Sequence, residues 1–367
     1  MKQKKLCLAI AIGMLCFCAC GKKDVPAGNM GDVSAAPSVT EGIEPAVTLA
    51  PEETSNPENM PVPTATPAPT PTPLPPDTTA PELVLLGETT MKVVARQPFE
   101  DPGFTATDDR DGDMTASVQI EGEVDVNWCG SYTLTYTVSD GAGNTATAER
   151  VVEVAQPETV YPEEKVIYLT FDDGPGPYTE ELLELLERYD VKATFFVCGT
   201  KNTDLYRMIY EAGHSIGAHC MVHNYSVVYE SDEAYFADLN AILDLIYEST
   251  GVHTTMVRFP GGASNMVSKS CPGIMTRVTE KLTNMGYQYI DWNVSAEDSV
   301  TKDTAEILNY MIKDTPKWTY PIVLQHPENR SFSFAAVEEY IKWGLENGYT
   351  FLPLTPESPL EQHRVKN

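Results

Sequence analysis

From residue 163 onward the chain alternates short apolar runs with amphipathic stretches, and this alternation constrains the fold more than any other feature. Residues 166–171 read as an apolar strand. Thr179 then offers a helix N-cap, Glu180 and Glu181 suit a first turn, and Leu182, Leu185, Leu186 and Tyr189 form one helical face. Residues 193–197 make the next strand, followed by candidates at 214–217, 255–259, 287–291, 320–325 and 349–353. Helical patterns separate most of them, including 232–248 and 276–285. Strands with helical crossovers imply a parallel sheet, most simply closed as a distorted (β/α)7 barrel of α/β class. In such barrels chemistry gathers at the C-terminal strand ends, so the residues after each strand are the ones to inspect.

The rest of the chain points to a multidomain protein outside the cell. Its 25 Lys and Arg against 53 Asp and Glu leave a formal charge of −28, which excludes nucleic acid as a partner because phosphate binding needs clustered cations. Lys2, Lys4 and Lys5 precede an apolar run at 6–17, the pattern of an export signal and too short for a permanent membrane helix. The run ends in Cys18-Ala19-Cys20-Gly21, which resembles a bacterial lipoprotein box with Cys20 lipidated, although Phe17 and Cys18 depart from it. Residues 1–20 are therefore expected to be the signal. The mature chain is expected to sit on the outer face of the membrane or in the wall by a lipid anchor, with simple secretion as the alternative. Cys129, Cys198, Cys220 and Cys271 show no paired spacing of a disulfide framework or zinc knuckle. Cys198, at the end of an apolar run, reads as a buried inert thiol.

Residues 21–78 have the composition of a disordered tether, with ten prolines between Pro51 and Pro76. Where extended, such a segment rises about 3.1 Å per residue, enough to hold a domain well away from a membrane. Residues 79–156 read as all-β: Ser131-Tyr-Thr-Leu-Thr-Tyr-Thr-Val138 alternates at period two and turn signals bracket it. The segments Asp101-Pro-Gly-Phe-Thr-Ala-Thr-Asp108 and Val138-Ser-Asp-Gly-Ala-Gly-Asn-Thr145 resemble bacterial immunoglobulin-like modules, implying a small sandwich. The acidic run 108–113 lacks the spacing of a calcium loop and reads as a solvated turn.

Four of the motifs that carry chemistry follow strands of the 163–357 region, and the fifth opens at the 214–217 strand. Thr170-Phe-Asp-Asp-Gly-Pro175 sets two carboxylates side by side, which suits a rim where one binds a cation and the other handles a proton, or else a plain acidic turn. Gly213-His-Ser-Ile-Gly-Ala-His-Cys-Met-Val-His-Asn224 holds three of the six histidines. His219 and His223 are four apart and would share one side of a helical turn. Two neutral imidazoles with a carboxylate are the N2O set of hydrolytic zinc sites, whereas isolated surface histidines would mean nothing. Arg258-Phe-Pro-Gly-Gly262 places an arginine where it could pair with a carboxylate and hold it charged. Trp292, in Asp291-Trp-Asn-Val-Ser295, could wall a sugar groove or simply pack. His326, in Leu324-Gln-His326, is a candidate general acid or a packed residue.

Taken in order over 163–355, these motifs, with Val191-Lys-Ala-Thr-Phe-Phe196, resemble the polysaccharide deacetylases, also called NodB-homology or carbohydrate esterase family 4 domains. The resemblance implies a divalent metal on Asp173, His219 and His223, zinc first, with cobalt, nickel or manganese as alternatives. It makes Asp172 the general base, Arg258 the residue that orients it, and His326 the acid that protonates the departing amine. A backbone N–H near Gly261 would help stabilise the oxyanion, and Leu324 and Trp292 would shape the pocket for the acetyl methyl. Two departures stand out. Many members carry Pro-Tyr where this chain has Pro260-Gly261, so an aromatic wall is missing or comes from elsewhere. Where members commonly place an aspartate this chain has Ser295, leaving Asp298 or Asp291 to tune His326. The expected reaction is N-deacetylation of peptidoglycan at N-acetylglucosamine or N-acetylmuramic acid. Chitin or xylan fragments are the alternative substrates, and a catalytically inert surface carbohydrate-binding protein is the alternative of another class.

Overall fold

The computed structural model describes residues 74–366. The expected signal, Cys20 and most of the expected tether lie outside the described residues. Among those described, no helix is long and apolar enough to cross a membrane.

The first part is a β-sandwich. Strands β1 (Glu82–Leu85), β3 (Phe104–Asp108) and β4 (Gly112–Asp113) form one sheet. Strands β2 (Thr90–Val94), β7 (Thr145–Ala155), β6 (Gly130–Ser139) and β5 (Gln119–Glu121) form the other. Period-two burial along β6 turns Leu134, Tyr136 and Val138 inward, as the alternating sequence requires. The acidic run is a turn: the Asp108 carboxylate accepts the N–H groups of Arg110 and Asp111.

The second part is a curled, mainly parallel sheet of eight strands. They are β8 (Val166–Asp172), β9 (Thr194–Cys198), β10 (Ser215–Cys220), β11 (Met256–Val257), β12 (Gln288–Tyr289), β13 (Val294–Ser295), β14 (Ile322–Gln325) and β15 (Thr350–Phe351). Their order is β12-β11-β10-β9-β8-β14-β13, with β15 on the first residues of β8. Every residue of β8 is buried, the mark of a central parallel strand covered on both faces. Seven strands were expected; β13 is the addition, a two-residue strand too short to leave a periodic signal. Among the described residues no ladder joins β12 to β13, so the barrel stays open there. The segment between them is held by the chain's last residues instead: Asp291 donates its N–H to Glu361 O at 2.7 Å and its carboxylate accepts His363 N at 2.8 Å.

Helices α1 (Thr179–Arg188), α2 (Asp204–Glu211), α3 (Tyr225–Val228), α4 (Asp232–Thr250), α5 (Ile274–Asn284), α6 (Thr304–Asp314) and α7 (Ser331–Glu346) accompany the strands. α4 begins at Ser231, whose side chain accepts Ala234 N, and stops at Gly251 in the left-handed region. Thr179 differs from its expected role. Tyr178 is the N-cap of α1, and the Thr179 hydroxyl instead bonds Glu328 at 2.6 Å and accepts Gly176 N at 2.8 Å. The last carbonyls of α5, which no helical N–H can reach, are met by the sandwich. Cys129 N donates to Asn284 O at 2.7 Å, Gln156 to Thr283 O at 2.9 Å and Arg96 to Met285 O at 3.2 Å.

Candidate active site

Five expected residues, Asp172, Asp173, His219, His223 and His326, face one cavity of about 300 Å3 at the C-terminal strand ends, together with Gly261, Trp292 and Leu324. Asp172 is the last residue of β8, buried, with one carboxylate oxygen 2.8 Å from Arg258 Nη1. Arg258 is wholly buried and each of its three nitrogens has an acceptor. Nη1 also meets Thr170 Oγ1 at 2.6 Å, Nε meets Ile290 O at 2.8 Å, and Nη2 meets Asp291 O at 3.0 Å. Its guanidinium lies 4.1 Å from the Phe196 ring centre. A cation held by that many groups can hold Asp172 in one rotamer.

The chain reverses at Asp173, which sits at φ +69°, a left-handed conformation that costs energy for any residue with a Cβ. Its turn is pinned from outside: Asn329 donates to Asp173 O at 2.9 Å and Cys198 N to Gly174 O at 2.6 Å. Gly174 has to be glycine, because a Cβ there would overlap the Glu328 carboxyl.

His219 is the penultimate residue of β10, whereas His223 lies in the loop that follows; the four-residue spacing is therefore not the helical turn that the sequence pattern had predicted. A strand end followed by a tight bend brings the ring centres to 5.5 Å. His219 donates from Nδ1 to Arg258 O at 2.7 Å, which directs Nε2 to the cavity. Asp173 Oδ1 lies 3.4 Å from His219 Nε2 and 3.2 Å from His223 Nε2, and is buried without a hydrogen-bond partner of its own. An orphaned carboxylate oxygen converging on two imidazole nitrogens fits a divalent metal of the N2O type. Burial alone would depress the His219 pKa, but the Asp172 charge and the Asp173 contact outweigh it and raise it to about 10. Burial would likewise raise Asp173, yet the His219 contact and the charge of the three nearby imidazoles drive it far below the usual carboxylate range.

Cys198 and Cys220 also approach His219. Their sulfurs are 3.3 Å apart and engage each other, and that contact and burial push the Cys198 thiol up, which leaves the Asp173 set as the open one. His214 stands apart from its two sequence neighbours. It is buried before β10, accepts Ala193 N at 3.2 Å, and burial lowers it to about 4.

His326 follows β14. Its Nδ1 meets Asp298 Oδ1 at 2.7 Å and its Nε2 is 3.9 Å from Asp173 Oδ2. Burial disfavours its cation, but the hydrogen bond and charge of Asp298 prevail and raise its pKa. Of the two expected tuning aspartates, Asp298 does this; Asp291 instead supports the Gly262 turn through Ala263 N at 2.9 Å. Asp298 reaches the ring from three residues past Ser295 because Glu297 turns the chain at φ +53°.

A family model described as polysaccharide deacetylase matches residues 159–290, and one described as bacterial surface protein, Ig-like domain, matches 83–154. A peptidoglycan-N-acetylglucosamine deacetylase of Bacillus cereus is 33% identical over 207 residues, covering 53% of this chain and 71% of that protein. The chain belongs to the polysaccharide deacetylase family. As such it is a metal-dependent hydrolase of N-acetyl groups. The catalytic domain of a peptidoglycan N-acetylglucosamine deacetylase from Eubacterium rectale matches at TM-score 0.56 and 45% identity, over 58% of this chain and 99% of that one. A peptidoglycan-N-acetylmuramic acid deacetylase of Bacillus subtilis is 29% identical, over 58% of this chain and 43% of that protein.

In this polysaccharide deacetylase the aromatic wall absent at Gly261 is replaced from another segment. Tyr225, at the start of α3, lines the cavity, stacks edge-on against His223 at 5.2 Å, and fills the space beside Gly261. Sequence reasoning passed over Tyr225, Glu328 and Arg330. Glu328 is fully buried with Oε2 unpartnered, and burial pushes its carboxyl up to about 8. An isolated Glu after Pro327 carries no pattern that would have marked it.

Proposed function

We propose that this chain removes N-acetyl groups from peptidoglycan outside the cell, with zinc held by Asp173, His219 and His223. The observation that carries the reading is Asp173 Oδ1, without a partner between two imidazole nitrogens, on the same cavity as Asp172 and His326. When bound, a divalent cation polarises an acyl oxygen and makes water acidic enough to deprotonate near neutral pH. Asp172, aligned by Arg258, takes a proton from the attacking water. The Gly261 N–H has no protein acceptor among the described residues and would donate to the carbonyl oxygen as it gains charge. His326 delivers a proton to the amine nitrogen as the C–N bond breaks, leaving acetate and a free amino sugar. Trp292, Leu324 and Tyr225 give the acetyl methyl an apolar surround.

The export pattern and Cys20 support placement at the outer membrane face on a lipid anchor. The domain plan proposed is a signal at 1–20, a tether at 21–78, an immunoglobulin-like sandwich at 79–156 and the deacetylase at 163–357, with the residues to His363 packing on the latter. The names of the relatives support peptidoglycan as substrate. The test is acetate release by the zinc-loaded protein from purified peptidoglycan, chitooligosaccharides and acetylated xylan. Release from peptidoglycan is expected, and Asp173→Ala should lose both metal and turnover. Release from xylan alone would overturn the substrate, and unchanged metal binding in Asp173→Ala would overturn the ligand set.

A further inference from the structure

Arg330, unlike Arg258, is held in the site by a loose ion pair to Asp298 alone, with no hydrogen bond to the protein among the described residues. It lines the catalytic cavity between β14 and α7, with its side chain 27% exposed. Its guanidinium makes no hydrogen bond among the described residues, and Nη1 is shielded from water as well. The nearest acid is Asp298, whose Oδ1 lies 3.6 Å from Nη1, too far for a hydrogen bond. That carboxylate is already committed: Oδ1 to His326 Nδ1 at 2.7 Å, Oδ2 to His326 N at 2.7 Å and to Ser333 Oγ at 2.5 Å. Leaving a sheltered charged donor without an acceptor is costly, and Arg258 in the same site shows how fully this fold satisfies a guanidinium when the role is internal.

We propose that Arg330 is an anion subsite that pairs with a carboxylate of the glycan next to the acetamide being hydrolysed. Its planar fork of donors fits a carboxylate bidentately. It stands one carboxylate away from His326, the group that serves the acetamide nitrogen, so the partner must be carried close to that nitrogen. In glycan strands freed of their stem peptides this is the carboxylate of the lactyl group, ether-linked to the carbon beside the acetamide in N-acetylmuramic acid, or the same group on the adjoining ring when N-acetylglucosamine reacts. This rests on the proposed function for its substrate class but makes a separate claim about charge.

The test compares three ligands: chitotetraose, glycan strands with free lactyl carboxylates, and the same strands methyl-esterified. For the full chain, Arg330→Gln should raise KM on the carboxylated strand about tenfold more than on chitotetraose, with Arg330→Lys between. Mass spectrometry of the product shows which ring lost its acetyl group, and so whether the carboxylate was its own or its neighbour's. Calorimetry on the metal-free protein reads binding without turnover. The wild type should prefer the carboxylated to the esterified strand about tenfold, and Arg330→Gln should lose that preference. That binding result would stand even if acetate release failed, which would sink the proposed function alone. Equal losses on neutral and carboxylated ligands, or no preference between carboxylated and esterified strands, would overturn the subsite.

Discussion

Each of the two folded regions buries one arginine completely, and the contrast between them separates architecture from chemistry. Arg150, on β7 of the sandwich, donates to Glu88 O at 2.6 Å, Leu86 O at 2.8 Å and Gly103 O at 3.1 Å, with Asp101 3.4 Å away. Arg258 in the barrel donates to two carbonyls, a threonine and Asp172. Both are anchored by backbone carbonyls and completed by side chains. The difference lies in the acid. Asp101 also receives the Tyr136 hydroxyl and closes a network within the sandwich. Asp172 keeps a second oxygen beside the cavity where Asp173 and three histidines converge. A buried ion pair therefore marks a joint in the fold; it marks a reaction centre only where one partner retains an unspent atom.

Replacing each partner should sharpen the contrast. Asp172→Asn should lower kcat by about 10²–10⁴-fold while leaving the melting temperature near that of the wild type, since it removes a base and keeps the shape. Activity within a few-fold of the wild type would end its role as base. Arg150→Met should do the reverse, destabilising the sandwich by about 3–5 kcal/mol in denaturant titration with kcat on a soluble chitooligosaccharide unchanged. A matching fall in kcat would mean that the two regions are not separable in this way.

A smaller effect is expected at Asp298. In its proposed role as acid His326 must be protonated, and its raised pKa keeps the proton to higher pH. Activity should therefore fall on the alkaline side only as pH rises through that raised value. Asp298→Asn removes the hydrogen bond and charge that raise it, so the alkaline limb of the kcat profile should move to lower pH. A limb that stays in place would assign it to another group. The smallest effect is at Glu328, buried like the arginines but without a cation. Its carboxyl is pushed up to about 8 in the fold, so the folded state holds a proton that the unfolded chain releases near the ordinary value of about 4. Stability from this group is present at low pH and is lost as pH rises toward 8. Glu328→Gln should flatten that slope between pH 5 and about 8 in thermal melts, and an unaltered slope would place the proton elsewhere.

Much of the site was readable in sequence because its residues follow strands whose apolar runs are local and strong. β8, β9 and β10 each announce themselves within a few residues, and Asp172, Asp173 and His219 sit at or next to their ends. What could not be read depended on pairing across the chain. β13 is two residues long and exists only because Val294 and Ser295 align with Val323 and Leu324. Tyr225 replaces a missing aromatic because α3 packs beside the Gly261 turn. Ser295 where an aspartate is usual looked like a defect, and Glu297 in a left-handed turn supplies Asp298 in its stead.

By itself the sequence determined the order of motifs, the class of donor atoms and the two kinds of folded region. These follow from periodicity and from which side chains can bind a cation or carry a proton, all properties of short segments. Only the tertiary structure decided that His219 and His223 meet across a strand end, that Asp298 and not Asp291 meets His326, and that Arg258 is hydrogen-bonded throughout where Arg330 keeps only an ion pair. Each of those outcomes depends on distances between residues far apart in the chain. Burial then turns such distances into energies, because a polar atom shielded from water must find its partner in the fold or in a ligand.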